Sequence, residues 1–397
     1  MNERGRRGSV LTMVLWVMGL LGTIALYLFY RAELELAAVA GWERDCRMRQ
    51  MGEEVLRERL SLLVNDDMKA DDPNDAWYGH GLLEEERDGC RIFVMASDEG
   101  TKPNLNFLNE ASLKILCGVK SDGQFDALFD WLDPDDEARF FGAESLYYLA
   151  LKKPYKPRNG FISSLAELKQ VKNGEDYYKA LAPHVTVYGR VNPNTIPLDN
   201  FSWLLTSIGV DDFFVERIGR SFREYRLGRN PEGGPNRFDT YDDFLKLDGL
   251  TIAVRDKLKP FFQFQGNCNI NFANEQQLAE ALLRAVGSTE MVGEIIARRQ
   301  EKFFTDQQDL EAFFRVKHPH LRTRDFFVTV STVIRLRIWI ERGDRVYFLE
   351  TVQERFPDQG QDRWRVRTLY RRALWDDEAP PVPENETEEA PGSEAGT

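Results

Sequence analysis

The sequence predicts an α+β protein carried on one N-terminal apolar helix, with a large all-helical insertion ahead of a small C-terminal antiparallel sheet. Three observations predict it. Residues 9–30, SVLTMVLWVMGLLGTIALYLFY, form an uncharged run behind the basic leader RGRRG. A phrase of the form Asn-x-Asn recurs at Asn104, Asn192 and Asn269, each time ahead of a Leu-containing helical stretch. Residues 325–375 then switch to the alternation of half-buried strands.

At 1.5 Å per residue the uncharged run makes a helix of about 30 Å, long enough to cross a bilayer's hydrocarbon core. Arg4, Arg6 and Arg7 ahead of it hold the N-terminus in the cytoplasm and put everything after Tyr30 on the far side. A secretory signal peptide would show small residues after its apolar stretch, whereas Tyr30-Arg31-Ala32-Glu33 runs straight on. Gly8, at the end of the basic leader, resembles the junction of type IV prepilins and pseudopilins, where a dedicated prepilin peptidase cuts before the apolar run. That resemblance implies cleavage between Gly8 and Ser9, with the helix retained and its new amine open to methylation. The fifth residue counted from Ser9 is Met13, where most such proteins carry Glu. Residues 1–8 are thus a leader and 9–64 one long helix. Its later part turns amphipathic through Leu34, Ala38, Met48, Val55, Leu56, Leu60 and Leu63, with bends expected at Gly41 and Gly52.

Lys+Arg 52 against Asp+Glu 65 gives a net charge of −13, which offers nucleic acid no general attraction. Cys46, Cys90, Cys117 and Cys268 show no CxxC spacing and allow up to two disulfides in an oxidising compartment, in any of three full pairings. Residues 65–89 are acidic and turn-rich and read as a loop, and CRIFVMASDEG reads as a strand and turn, closing a segment at 103.

From Asn104 the chain repeats itself. NLNFLNEASL at 104–113 and NINFANEQQL at 269–278 agree at six of ten positions, and NPNTIPLDNF at 192 is a looser copy. Each phrase leads to a Gly-Val or Val-Gly pair and closes on SSLAEL, DTYDDFL or FTDQQDL. Ser164 with Glu167 and Thr305 with Gln308 have capping-box spacing, and Thr240 with Asp243 is an imperfect version. Residues 104–320 therefore read as three helical units of helix-hairpin-helix (SAM-like) type, near 104–172, 192–250 and 269–316. Such units often bind DNA, but the hairpins CGVKSDG, SIGVDDF and AVGSTEM carry acid and no basic cluster, which favours protein packing.

Three strands follow within 321–375, with Val328, Val330, Thr332, Ile334, Leu336, Ile338 and Ile340 on one face of the first. Arg335, Arg337, Arg363, Arg365, Arg367, Arg371 and Arg372 read as a basic stripe on a solvated face. Residues 376–397 are acidic and Pro-rich and read as a disordered tail. His80, His184, His318 and His320 are scattered, no nucleophile or phosphate-loop motif occurs, and no enzyme is indicated.

Residues 98–172 carry the most specific text. Asp130-Trp131, the acids Asp133, Asp135 and Asp136, Gly142-Ala143-Glu144, Tyr147-Tyr148, Tyr155, Arg158-Asn159 and Glu167-Leu168 resemble the K-type minor pseudopilin of bacterial type II secretion. Members of that family lack the fifth-position Glu and insert a large helical domain into a pilin-like fold. The resemblance implies a noncatalytic subunit at the pseudopilus tip, in the inner membrane with its larger part in the periplasm. The implied partners are the I- and J-type minor pseudopilins and the inner-membrane secretion platform. Calcium sites occur in that family. Asp133, Asp135, Glu137 and Glu144 fall at positions 1, 3, 5 and 12 of an EF-hand-like count, although position 6 is Ala138 and position 9 is Phe141. The competing reading is a solvated acidic loop in which Asp133 or Asp136 caps a helix. Two further functions stay open: a membrane-tethered DNA-uptake receptor, marked by a basic surface on 192–320, and a minor type IV pilin tip protein, marked by neighbouring pilus-assembly genes.

Overall fold

The computed structural model of the chain describes residues 3–79, 81–231, 233–358, 360–361 and 363–376, with the side chains of residues 3–9 and Asp376 outside the description. The expected tail from 377 onward and His80 lie outside the described residues.

Helix α1 runs unbroken over Glu3–Val64. Among the described residues it is the one helix long and apolar enough to cross a bilayer, and its apolar stretch from Val10 is left uncovered by the rest of the chain. The amphipathic part engages the core only from Met48. Met48, Met51, Val55, Leu56 and Leu63 are buried, whereas Leu34 is 53% exposed. Gly52 marks a close approach rather than a bend, since a Cβ there would meet the Tyr347 ring at 2.8 Å.

Strands β1 (Leu82–Arg87) and β2 (Cys90–Asp98) come next. The segment expected to be loop up to residue 89 thus holds an edge strand. Its sequence, LLEEER, is acidic because it lies at the sheet edge, and Asp88-Gly89, at φ 53° and 71°, makes the tight turn back into β2.

Between β2 and the main C-terminal strands the chain is mostly helical. The first stretch holds α2 (Glu110–Cys117), α3 (Asp126–Leu132), α4 (Ser145–Leu149) and α5 (Gly174–Leu181). The second holds α6 (Leu198–Ser207), α7 (Asp212–Leu227) and α8 (Ile252–Leu258). The third holds α9 (Glu275–Val286), α10 (Val292–Glu301) and α11 (Gln307–Arg315), closed by the short parallel pair β3 (Cys268–Asn269) and β4 (Phe327–Val328). Each stretch has its own apolar core, around Trp131 and Tyr148, around stacked Phe201 and Phe222, and around Leu282 and Phe314.

One hydrogen-bonding pattern explains the repeated phrases. The first Asn accepts from the backbone amide of the second, at 3.1 Å in Asn104–Asn106, 3.0 Å in Asn192–Asn194 and 2.9 Å in Asn269–Asn271. The second Asn then pairs with both backbone groups of one distant residue: Asn106 with Ile162, Asn194 with Phe238, Asn271 with Phe304. An Asn amide offers the donor and acceptor of a peptide group, so the side chain replaces a missing strand partner. Two residues past each clamped position sits an N-cap, at Ser164, Thr240 and Asp306. In each unit a carboxylate at the fifth position past the clamp (Glu167, Asp243, Asp309) accepts from the amide one past it. The expected box at Thr305 and Gln308 does not form: the cap is Asp306, and Asp309 accepts from the Thr305 amide rather than from that of the cap. At Thr240 the Asp243 carboxylate completes the box, and Asn274 with Gln277 forms another that its phrase disguised.

The chain returns through β5 (Val333–Arg342), β6 (Arg345–Pro357) and β7 (Trp364–Asp376). They join the first two strands in one antiparallel sheet ordered β1-β2-β5-β6-β7, so the sheet has five strands, not three. Ile334, Leu336, Ile338 and Ile340 of β5 pack with α1. The arginine stripe is not free. Arg335 and Arg337 bind Glu350, Arg363 and Arg365 bind Asp358, Arg367 binds Glu354 and Arg371 binds Glu53. All four cysteines are unpaired, with Cys90 and Cys268 buried.

Candidate metal centre

The site lies on the loop from α3 to α4. Asp130, fully buried on α3, organises that loop by accepting from the Arg139 amide at 3.2 Å and the Ala143 amide at 2.8 Å. Asp126 Oδ2 accepts from the Phe141 amide at 3.1 Å. The turn passes so close that a Cβ on Gly142 would lie 1.8 Å from Asp130 Oδ2, which is why Gly precedes Ala143-Glu144.

This folding brings Asp133, Asp135 and Glu144 together, with one oxygen from each within 4.8 Å of the others. Asp133 and Glu144 are each only 5% exposed. Both Glu144 oxygens and Asp133 Oδ1 are buried without a hydrogen-bond partner, a costly arrangement for carboxylates. Burial, then the negative charge of Asp130, pushes Glu144 up to about 8. Burial, then the charge of Asp135, pushes Asp133 up to about 7, and Arg139 at 3.6 Å offsets this only in part.

The other two acids of the loop take different places. Glu137 is not brought into the group; it is exposed, and its amide donates to Asp135 Oδ1 at 3.0 Å. The EF-hand-like count thus fails at position 5, because the chain turns outward over the exposed residues 134–141. Asp136 Oδ1 accepts from the Ser145 amide at 3.1 Å and so caps α4, which holds its carboxyl below the usual range. Asn159 escaped the reading of candidate ligands. It sits at φ 45°, its amide donates to the Asp135 carbonyl at 2.5 Å, and its Oδ1 is buried and unpartnered.

A second acidic group, Asp66, Asp71 and Asp75, differs in kind, because Arg355 already binds Asp66 and Asp71 within it. The candidate histidines form no group with these acids: His184, His318 and His320 lie elsewhere.

Residues 108–190, which hold the whole loop, match the family model for type II secretion system (T2SS) protein K. The chain is similar to type II secretion system protein K. It is 26% identical over 268 residues to the type II secretion system protein K of Pseudomonas aeruginosa, covering 62% of this chain and 77% of that protein. It is 26% identical over 178 residues to a putative type II secretion system protein K of Escherichia coli, covering 42% of this chain. That match spans about half, 53%, of the E. coli protein's length. Among solved structures it is similar to a chain of the GspK-GspI-GspJ complex from the enterotoxigenic E. coli type 2 secretion system. The TM-score is 0.41, at 14% identity over 86% of this chain and 99% of that one.

The three gathered carboxylates are hard oxygen donors, the set that suits Ca²⁺. The unpartnered buried oxygens fit a cation. Asp133, Asp135 and Glu144 would hold it, and its charge would offset the burial and repulsion that now raise Asp133 and Glu144.

Proposed function

We propose that the chain is a minor pseudopilin at the tip of a type II secretion pseudopilus, a structural rather than catalytic subunit. The supporting observation is where the helical units attach. The β5–β6 turn lies beside the membrane-near part of α1, where Arg345 pairs with Asp45. The helical units leave from Asp98, which pairs with Ile334 at the opposite end of the sheet, beside the end of α1, where Arg355 binds Asp66. They therefore sit beyond α1, in the space a following subunit would occupy, and stop addition there.

On this reading Gly8–Ser9 is cut by the prepilin peptidase, and α1 crosses the inner membrane once with its N-terminus in the cytoplasm. The partners are I- and J-type minor pseudopilins and the inner-membrane platform. Ca²⁺ at Asp133, Asp135 and Glu144 fixes the loop of the first helical unit. The DNA-receptor alternative loses support because the exposed arginines of α7 are neutralised: Arg217 by Asp248, Arg220 by Glu216 and Arg223 by Asp199. The deciding experiment is the intact mass of the protein extracted from its native membrane. A chain beginning at Ser9, and a Gly8→Ala variant that keeps its leader, support the reading. A wild-type chain beginning at Met1 overturns it.

A further inference from the structure

The first helical unit carries an apolar protrusion that neither the fold nor the metal centre uses. Phe140 is 90% exposed, Leu146 87% and Phe141 59%, with Leu149 beside them on α4. Scattered exposed apolar groups are ordinary, but a contiguous set this exposed marks a surface that something covers. Lys172 ties the two parts of the protrusion together. Its ammonium donates to the carbonyls of Phe141 (3.1 Å) and Gly142 (3.0 Å) and lies 5.4 Å from the Tyr147 ring. Directly after α4 the chain reads Lys152-Lys153-Pro154-Tyr155-Lys156. Lys152, Lys153 and Lys156 are exposed and take no part in the ion pairs among the described residues, in contrast to the neutralised arginines of α7 and the sheet.

We propose that Phe140, Phe141, Leu146 and Leu149, with Lys152, Lys153 and Lys156, form a docking surface for an anionic lipid bilayer. Two features favour lipid over a protein partner. Residues 134–141 are exposed throughout, so the loop stands out from the surface, whereas protein hot spots fill pockets. Aromatic and Leu side chains flanked by uncompensated lysines are the composition that enters a headgroup layer and answers its negative potential. The acids Asp135, Asp136 and Glu137 oppose the lysines, so apolar insertion supplies the attachment and the lysines supply the preference for anionic lipid. The helical units leave the sheet at the end remote from the apolar stretch of α1, so the bilayer proposed here is one other than that which the helix enters. This goes beyond the tip-subunit reading and does not depend on it.

The test uses the full chain in phosphatidylcholine nanodiscs, immobilised, with vesicles of phosphatidylcholine alone or mixed with phosphatidylglycerol passed over it. The mixed vesicles should be captured and the pure ones not. Capture should fall at least about tenfold in Phe140→Ser/Leu146→Ser and in Lys152→Gln/Lys153→Gln/Lys156→Gln. These side chains are exposed, and an unchanged melting temperature shows that both variants fold. Equal capture of both vesicle types, or capture that survives both sets of substitutions, overturns the proposal. Absence of capture while a polyglutamate peptide binds at the lysines also overturns it, in favour of an acidic protein partner.

Discussion

Asn271 and Phe304, remote in sequence, hold each other as two strands would: the Asn271 amide donates to the Phe304 carbonyl at 2.9 Å and accepts from the Phe304 amide at 3.0 Å. The same Asn also donates to the Asp71 carbonyl at 3.1 Å, which ties the third helical unit to the segment after α1. Asn271→Ala leaves buried backbone groups without partners. It should lower stability by about 2–4 kcal/mol in urea denaturation, and Asn194→Ala should cost a comparable amount. A loss under about 0.5 kcal/mol for both would mean that water replaces the clamp.

The clamps also show what the sequence could reveal. Asn-x-Asn was legible as a repeat because each copy performs one local task with the same residue types. The partner residues were not legible, because Ile162, Phe238 and Phe304 contribute only backbone groups to it. Strand β1 was hidden by its edge position, which favours Glu over the apolar alternation of a covered strand. Arg335 looked like part of a solvated stripe, since periodicity assigns a residue to a face and not to a partner; its carboxylates come from Glu99 and Glu350. At the metal loop, spacing found Asp133, Asp135 and Glu144. The fold leaves Glu137 exposed and outside that group, because loop paths do not follow a count taken from another fold.

Ca²⁺ should raise the melting temperature of the wild-type chain by several degrees, and chelator should reverse the gain. In Asp133→Asn/Glu144→Gln that response should vanish. In chelator the same variant should be at least as stable as wild type, because it no longer buries two acids that burial and neighbouring negative charge disfavour and that Arg139 offsets only in part. An equal Ca²⁺ response in both proteins would rule out this site.

Gly142→Ala would place a methyl group against the Asp130 carboxylate, which holds the loop through the amides of Arg139 and Ala143. It should cost about 2–4 kcal/mol and weaken Ca²⁺ binding together with stability. Calorimetric titration with Ca²⁺ reads the second effect. Unchanged affinity would show that the ligands keep their places without this turn.

Glu99 gives the fold a pH dependence. Burial pushes its carboxyl up, but the two hydrogen bonds from Arg335 (2.9 and 2.7 Å) and the charge of Lys102 outweigh it, so Glu99 lies below its ordinary 4.5. Glu350 is lowered in the same way, against its own burial, by Arg335 and Arg337. A carboxyl lowered by folding stabilises the native state above its unfolded value. That stability is lost as pH falls through the lower, folded value. Arg335→Met should destabilise the protein by about 3–5 kcal/mol at neutral pH, since buried Glu99 loses both guanidinium hydrogen bonds and keeps only Lys102 beside it. The gap to wild type should narrow between about pH 7 and about pH 4, as Glu99 becomes protonated in the variant. Urea midpoints across that range measure it, and a constant gap would assign the loss to packing alone.

The attachment of the helical units permits a direct test of the proposal that they stop growth. Asp98 pairs with Ile334 across β2 and β5, and the amides of Glu99 and Gly100 both donate to the Val333 carbonyl at 2.9 Å. The two ends of the excursion therefore lie within reach of a short Gly-containing turn, and the excised part meets the α1–sheet core of Met48, Val55, Ile338 and Leu349 through Phe272, which packs on Trp77 and Tyr78 at its margin. A chain with residues 101–332 replaced by such a turn should retain a folded sheet by circular dichroism. Where the whole chain ends a pseudopilus, this shortened chain should allow subunits to add above it, and electron micrographs should show longer filaments. Filaments of unchanged length, built with a shortened chain that is folded and present in them, would mean that termination comes from α1 and the sheet.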